Sequence, residues 1–175
     1  MLQRLFRPRP AQATGRALYA SVVEQSRSPA LYERLGAPDT VEGRFEIYSL
    51  HVVLLLDRLR RQGDRATETS QSLFDTYVKA LDHALREMGV GDLSVGKKMR
   101  KLGEAFYGRV KSYESAFAAL PQTDHLQALL GRTVYEQGGA ENVAKLAEYV
   151  IRQRQALAGQ KLDALMDGQV AWSTA

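Results

Sequence analysis

Between Val41 and Leu59 the apolar side chains Val41, Phe45, Tyr48, Val52, Leu55 and Leu59 recur at alternating steps of four and three. That spacing draws one stripe along an α-helix. Ile47, Leu50 and Leu54 draw a second stripe on nearly the opposite side. A helix that is apolar on two sides must be packed from two sides, so the rest of the chain has to supply partners for it. Asp39-Thr40, after Pro38, offers the N-cap, and Gln62-Gly63-Asp64 marks the stop.

The partners are legible as further periodic segments. A modest face of Leu18, Val22 and Val23 predicts a helix from about Thr14 to the Ser28-Pro29 pair, which stops it and opens a short turn from Ala30 to Leu35, closed by Gly36. After a polar link from Arg65 to Ser70, Phe74, Tyr77, Leu81, Leu85 and Met88 mark a second long helix. Gly89 is its left-handed C-terminal residue and Val90 its hydrophobic closure. Ser94 is the expected cap of a third, with Val95, Met99, Leu102, Phe106, Val110, Tyr113 and Phe117 inward, ending before Pro121. Thr123 opens a fourth with Leu126, Leu129, Leu130 and Val134, stopped at Gly138-Gly139. A fifth carries Val143, Leu146, Ala147, Val150, Ile151 and Leu157. Gly159 separates a short last helix with Leu162, Leu165 and Met166. No strand alternation of useful length and no repeat occurs. The expected fold is all-α, a single irregular bundle of about six or seven helices over residues 14–175, behind a flexible basic tail of residues 1–13 whose Pro8 and Pro10 oppose a helix.

The chemistry available is narrow. The chain has no cysteine, which removes disulfides, thiolate catalysis and thiolate-held metals. His51, His83 and His125 lack metal-ligand spacing. The pair His83 and Glu87, four apart, reads as a surface hydrogen bond, and no cofactor is expected. No nucleophile elbow, phosphate loop or dinucleotide fingerprint is present, so the reading is a binding domain and not an enzyme. The longest apolar run, Val52 to Leu56, is far short of the roughly 20 residues of a membrane span, and the expected place is the cytoplasm, at most peripheral to a membrane.

Charge is concentrated in two places on a chain of net +4. Arg4, Arg7, Arg9 and Arg16 stand in the first sixteen residues without an acid. Lys97, Lys98, Arg100, Lys101, Arg109 and Lys111 face only Glu104. Such patches suit an anionic surface, either phospholipid headgroups or RNA. The sparse aromatics around them argue against sequence-specific nucleic-acid reading. Arg44, His51 and Arg58 line up at sevenfold spacing, as do Asp75, Lys79, Asp82 and Arg86 on the next helix, and a contact between the two rows is expected. Gly96, Gly103 and Gly108 fall inside one helix, where each costs up to about 1 kcal/mol. The simplest reason is close approach of another backbone, from this domain or from a client helix.

Two stretches carry a family pattern. One runs Leu31-Tyr32-Glu33-Arg34-Leu35-Gly36-Ala37-Pro38-Asp39-Thr40, then Gly43-Arg44-Phe45-Glu46 and Leu50-His51. The other runs from Leu85-Arg86-Glu87-Met88-Gly89-Val90-Gly91-Asp92 through Ser94-Val95-Gly96-Lys97-Lys98 to Ala105-Phe106-Tyr107-Gly108-Arg109 and Tyr113. Over roughly residues 31–150 the chain resembles the ubiquinol–cytochrome c chaperone family, in what looks like its compact bacterial form. The resemblance implies an assembly factor for the cytochrome bc1 complex that binds newly made cytochrome b. It also implies work near the ribosome and, in mitochondria, beside a small partner protein. It supplies no catalytic residues. It makes Asp39, Gly43, Arg44, Phe45, His51, Arg86, Glu87, Gly91, Asp92, Phe106, Tyr107, Arg109 and Tyr113 the candidates for a client-binding surface, with Met88 and Tyr48 as adaptable apolar additions. Arg4, Arg7, Arg9, Lys97, Lys98, Arg100 and Lys101 are the candidates for a membrane or RNA surface. The rival reading is a helical carrier of lipid or quinone, which requires an enclosed apolar cavity.

Overall fold

The computed structural model describes residues 10–135 and 139–174. Among them stand eight helices and no strand: α1 (Pro10–Ser26), α2 (Pro29–Glu33), α3 (Val41–Leu59), α4 (Asp64–Glu87), α5 (Asp92–Ala118), α6 (Asp124–Thr133), α7 (Ala140–Gly159) and α8 (Leu162–Met166). The fold is the expected all-α bundle. Helix α3 is its axis: Ile47, Leu50, Val52, Val53, Leu54 and Leu55 are all buried, and α1, α4, α5 and α7 pack around it.

Local chemistry explains most boundaries. Thr40 is extended, and its hydroxyl accepts from the Gly43 N–H at 3.0 Å, capping α3 as expected. Gly43 is required there, because a Cβ would stand 2.1 Å from the Pro38 carbonyl oxygen. At the end of α4, Gly89 takes φ +81. Its N–H reaches the Arg86 carbonyl at 2.9 Å, and the Val90 N–H reaches the Leu85 carbonyl at 3.0 Å. This is the paired closure of a Schellman motif.

Four expectations are corrected. Helix α1 starts at Pro10 rather than Thr14, since proline at a first helical position sacrifices an N–H that has no partner there anyway. The supposed link from Arg65 to Ser70 is helical: Ala66 and Thr69 are buried and continue the stripe of Leu73 and Tyr77. Helix α5 begins at Asp92, with Gly91 rather than Ser94 at its N-cap. Val41, read as inward, is 59% exposed, because it stands in the first turn of α3 beyond the reach of its neighbours. The Gly138 half of the expected stop after α6, the tail of residues 1–9, and with it Arg4, Arg7 and Arg9, lie outside the described residues.

The outer halves of α4 and α5 form an arm. Leu73 and Tyr77 of α4 and Phe106, Tyr113, Ala116 and Phe117 of α5 belong to the main core. Farther out the buried apolar side chains are Leu85 and Val95, and neither joins that core. The part of α5 before Phe106 is on the order of 20 Å long at 1.5 Å per residue. Among the described residues no helix is long and apolar enough to cross a membrane.

Candidate functional site

The sequence candidates separate into three groups. His51, Phe106 and Tyr113 are interior, at 0%, 2% and 1% exposure. As surface residues they are corrected, and each has a packing role. Phe106 stacks on Phe74 and Tyr77, with ring centroids 5.4 and 5.1 Å apart. Tyr113 stacks on Phe117 at 5.7 Å.

His51 lies at the centre of a buried polar chain. Its Nδ1 is 2.8 Å from the Ile47 carbonyl oxygen and 3.1 Å from the Ser26 hydroxyl. A carbonyl only accepts, so Nδ1 carries the hydrogen. Nε2 then accepts from the Tyr149 hydroxyl at 2.7 Å, and Tyr149 accepts from Gln25 Nε2 at 2.8 Å. Trp172 packs edge-on against the imidazole, with centroids 5.2 Å apart, and donates its indole N–H to Ser21 at 2.8 Å. The network ties α1, α3, α7 and the C-terminal segment together. Burial pushes the His51 pKa down to about 4, against the smaller opposing effect of the Ile47 carbonyl.

The expected meeting of the two charged rows does not occur. Arg44 pairs with Asp39 at 2.5 Å and lies over the Tyr32 ring at 5.6 Å. Arg58 donates to the carbonyls of Leu157 and Gln160, both at 2.8 Å. Asp75 accepts from Gln71, and Asp82 from Arg86. The α3 row faces α1, α2 and the end of α7, where backbone carbonyls and tyrosines satisfy it.

The second group braces the arm. Arg109 grips Glu46 with two parallel hydrogen bonds, 2.8 and 2.7 Å long. The Glu46 side chain is only 9% exposed, so this bidentate pair pins the first half of α3 to the middle of α5. Bonding to Glu46 also raises the pKa of the Arg109 guanidinium. Glu46 was not among the sequence candidates; its position one residue before Ile47, on the buried side, was the available signal. Arg86 bonds Asp82 at 2.7 Å and also Asp92, tying the end of α4 to the start of α5.

The third group is exposed. Asp39 and Arg44 sit at the head of α3, with Phe45 half-buried against the core. Tyr48 is also half-buried, its hydroxyl held by Arg27 at 3.0 Å. Tyr107 is 58% exposed while its ring leans on Phe74 at 5.6 Å. At the tip of the arm Glu87 lies 3.5 Å from His83, Met88 is 53% exposed, and Leu93 is wholly exposed. Sequence reading missed Leu93. At 100° per residue it points almost directly away from Val95 and Phe106. Lys97, Lys98, Arg100 and Lys101 are exposed and have no ion-pair partner among the described residues.

The helix glycines of α5 are corrected in part. A Cβ at Gly96, Gly103 or Gly108 would meet nothing within 4 Å, so no backbone of this domain needs them. Two clefts, of about 250 and 750 Å³, open on either side of Asp57, which pairs with Arg60 at 3.2 Å and Arg154 at 2.8 Å. Both are open to solvent and rimmed by charge; neither is the enclosed apolar cavity that a carrier requires. Among the described residues no cluster of metal-binding side chains occurs.

Comparison with known proteins bears on what such an arm serves. Residues 33–172 match the protein family described as ubiquinol-cytochrome C chaperone. The ubiquinol-cytochrome c reductase complex assembly factor 1 of Mus musculus is 28% identical over 159 residues, 89% of this chain and 53% of that protein. The Xenopus laevis counterpart is 24% identical over 160 residues and 78% of its length. The chain thus spans about half the length of the mouse and human relatives it matches. The crystal structure of the Cbp3 homolog from Brucella abortus superposes with a TM-score of 0.86 at 32% identity, covering 99% of this chain and 97% of that one.

Proposed function

The chain belongs to the ubiquinol–cytochrome c chaperone family, and from that premise we propose that it is an assembly factor of the cytochrome bc1 complex whose client is newly made cytochrome b. It acts by binding and not by catalysis, at the face of the membrane into which the client is inserted. The observation that carries the reading is the shared architecture: near-complete structural coverage at 0.86, together with a family match that includes both the head of α3 and the arm. The client surface is assigned to the exposed members of the candidate set, Asp39, Arg44, Phe45, Glu87, Asp92 and Tyr107, with Val41 and Met88 as apolar additions. The bidentate Glu46–Arg109 pair holds the two halves of that surface in register.

The α5 glycines fit this reading. A face without Cβ atoms lets a client helix approach closely, and nothing inside the domain uses it. Deleting the gene and measuring cytochrome b and bc1 activity in membranes tests the proposal. Loss of both, restored by the intact chain but not by Arg44→Ala/Tyr107→Ala, is the expected result. Unchanged cytochrome b and bc1 levels in the deletion strain would refute it.

A further inference from the structure

The arm presents an arrangement that neither core packing nor ion pairing accounts for. Leu93 is wholly exposed in the first turn of α5, and Met88 is more than half exposed across the turn from it. On the outward face of α5, Lys97, Arg100 and Lys101 follow Leu93 one and two turns behind, with Lys98 to their side. These four bases are exposed and without acidic partners among the described residues. The acids nearest the tip are engaged elsewhere: Asp82 and Asp92 with Arg86, and Glu87 beside His83. An apolar point backed by a ring of cations one to two turns away matches the depth profile of a lipid interface, where apolar groups enter about 5–10 Å and cations stop at the phosphates.

We propose that the α4–α5 arm docks on an anionic phospholipid bilayer, with Leu93 and Met88 entering the headgroup layer and Lys97, Lys98, Arg100 and Lys101 lying on the lipid phosphates. Lipid is favoured over RNA because the exposed groups at the tip are aliphatic. A nucleic-acid groove would interleave aromatics for stacking among the bases. The proposal deepens the assembly-factor reading by naming the surface through which a chain meets the membrane of its client. It rests on that reading for its setting, but vesicle binding is measured without any client, so either can fail while the other stands.

The test uses the whole purified chain and sedimentation with vesicles of phosphatidylcholine doped with phosphatidylglycerol, against phosphatidylcholine alone. Binding to the anionic vesicles only, falling with salt, is expected. Lys97→Gln/Lys98→Gln/Lys101→Gln should weaken it about a hundredfold, at about fivefold per charge. Leu93→Ser should weaken it at least about tenfold. Because the chain has no cysteine, Leu93→Cys carries an environment-sensitive fluorophore at one site. Its emission should shift to the blue on anionic vesicles, while the same label at exposed Glu148→Cys on α7 should not respond. No binding to anionic vesicles, binding indifferent to Leu93→Ser, or tight salt-dependent binding to single-stranded RNA with no blue shift on vesicles would each overturn the proposal.

Discussion

Mild acid is expected to destabilise the protein through His51. The ring is 0% exposed, and its hydrogen-bond partners, Ser26, Ile47 and Tyr149, carry no negative charge. Protonating Nε2 would turn an acceptor into a donor facing the Tyr149 hydroxyl, which now donates to it. Burial therefore holds the folded pKa at about 4 against an ordinary value of 6.5. Between those values the unfolded chain binds the proton and the folded chain does not. Stability is full above about pH 6.5, falls as pH drops towards 4, and is level below that. The gap is worth about 3 kcal/mol over the whole window and about 2 kcal/mol by pH 5. That is a large share of the roughly 5–15 kcal/mol that holds a domain folded. Urea unfolding at a series of pH values measures it, and Trp172, the chain's single tryptophan, reports locally because it packs on His51. His51→Gln should start less stable but lose the pH slope in this window, whereas His83→Gln/His125→Gln should keep it. An unchanged slope in His51→Gln would refute the reasoning.

Three further outcomes follow from the packing. Arg109→Ala strands the nearly buried Glu46 carboxylate and should cost about 2–3 kcal/mol in denaturant unfolding, with Glu46→Gln/Arg109→Gln recovering part of it. Gly43→Ala should destabilise strongly in the same assay, because its Cβ would collide with the Pro38 carbonyl. Gly96→Ala and Gly103→Ala, with open space around them, should each stabilise by up to about 1 kcal/mol. If the glycine face receives a client helix, those same two variants should fail to restore bc1 assembly in a deletion strain.

The fold was largely written in apolar periodicity. The double stripe of α3 announced a central helix, and Thr40, Pro29 and Gly89 marked ends that the backbone confirms. Boundaries went astray where polar residues are helical for tertiary reasons, as with Ala66 and Thr69, which bury against neighbours that no local pattern names. The site was less legible. Arg44, His51 and Arg58 line up on one face, but which helix that face meets is decided by α1, α2 and α7, distant in sequence, so their partners are carbonyls and tyrosines and not the acids of α4. His51 illustrates the difficulty best. A histidine within a polar row reads as surface, and only the fold reveals that Gln25 and Tyr149 close its hydrogen bonds. The exposed tip was hidden for the opposite reason: Leu93 and Met88 look like core residues until the arm is seen to outrun the core.

The central claim, that the chain holds newly made cytochrome b for assembly into the bc1 complex, is tested most directly by pulse-labelling cells that carry an affinity-tagged copy and isolating it under mild conditions. Labelled cytochrome b should co-purify early in the chase and leave as the mature complex forms, and Arg44→Ala/Tyr107→Ala should lose it while remaining folded. An eluate free of labelled cytochrome b at every time, from cells that are making it, would contradict the account.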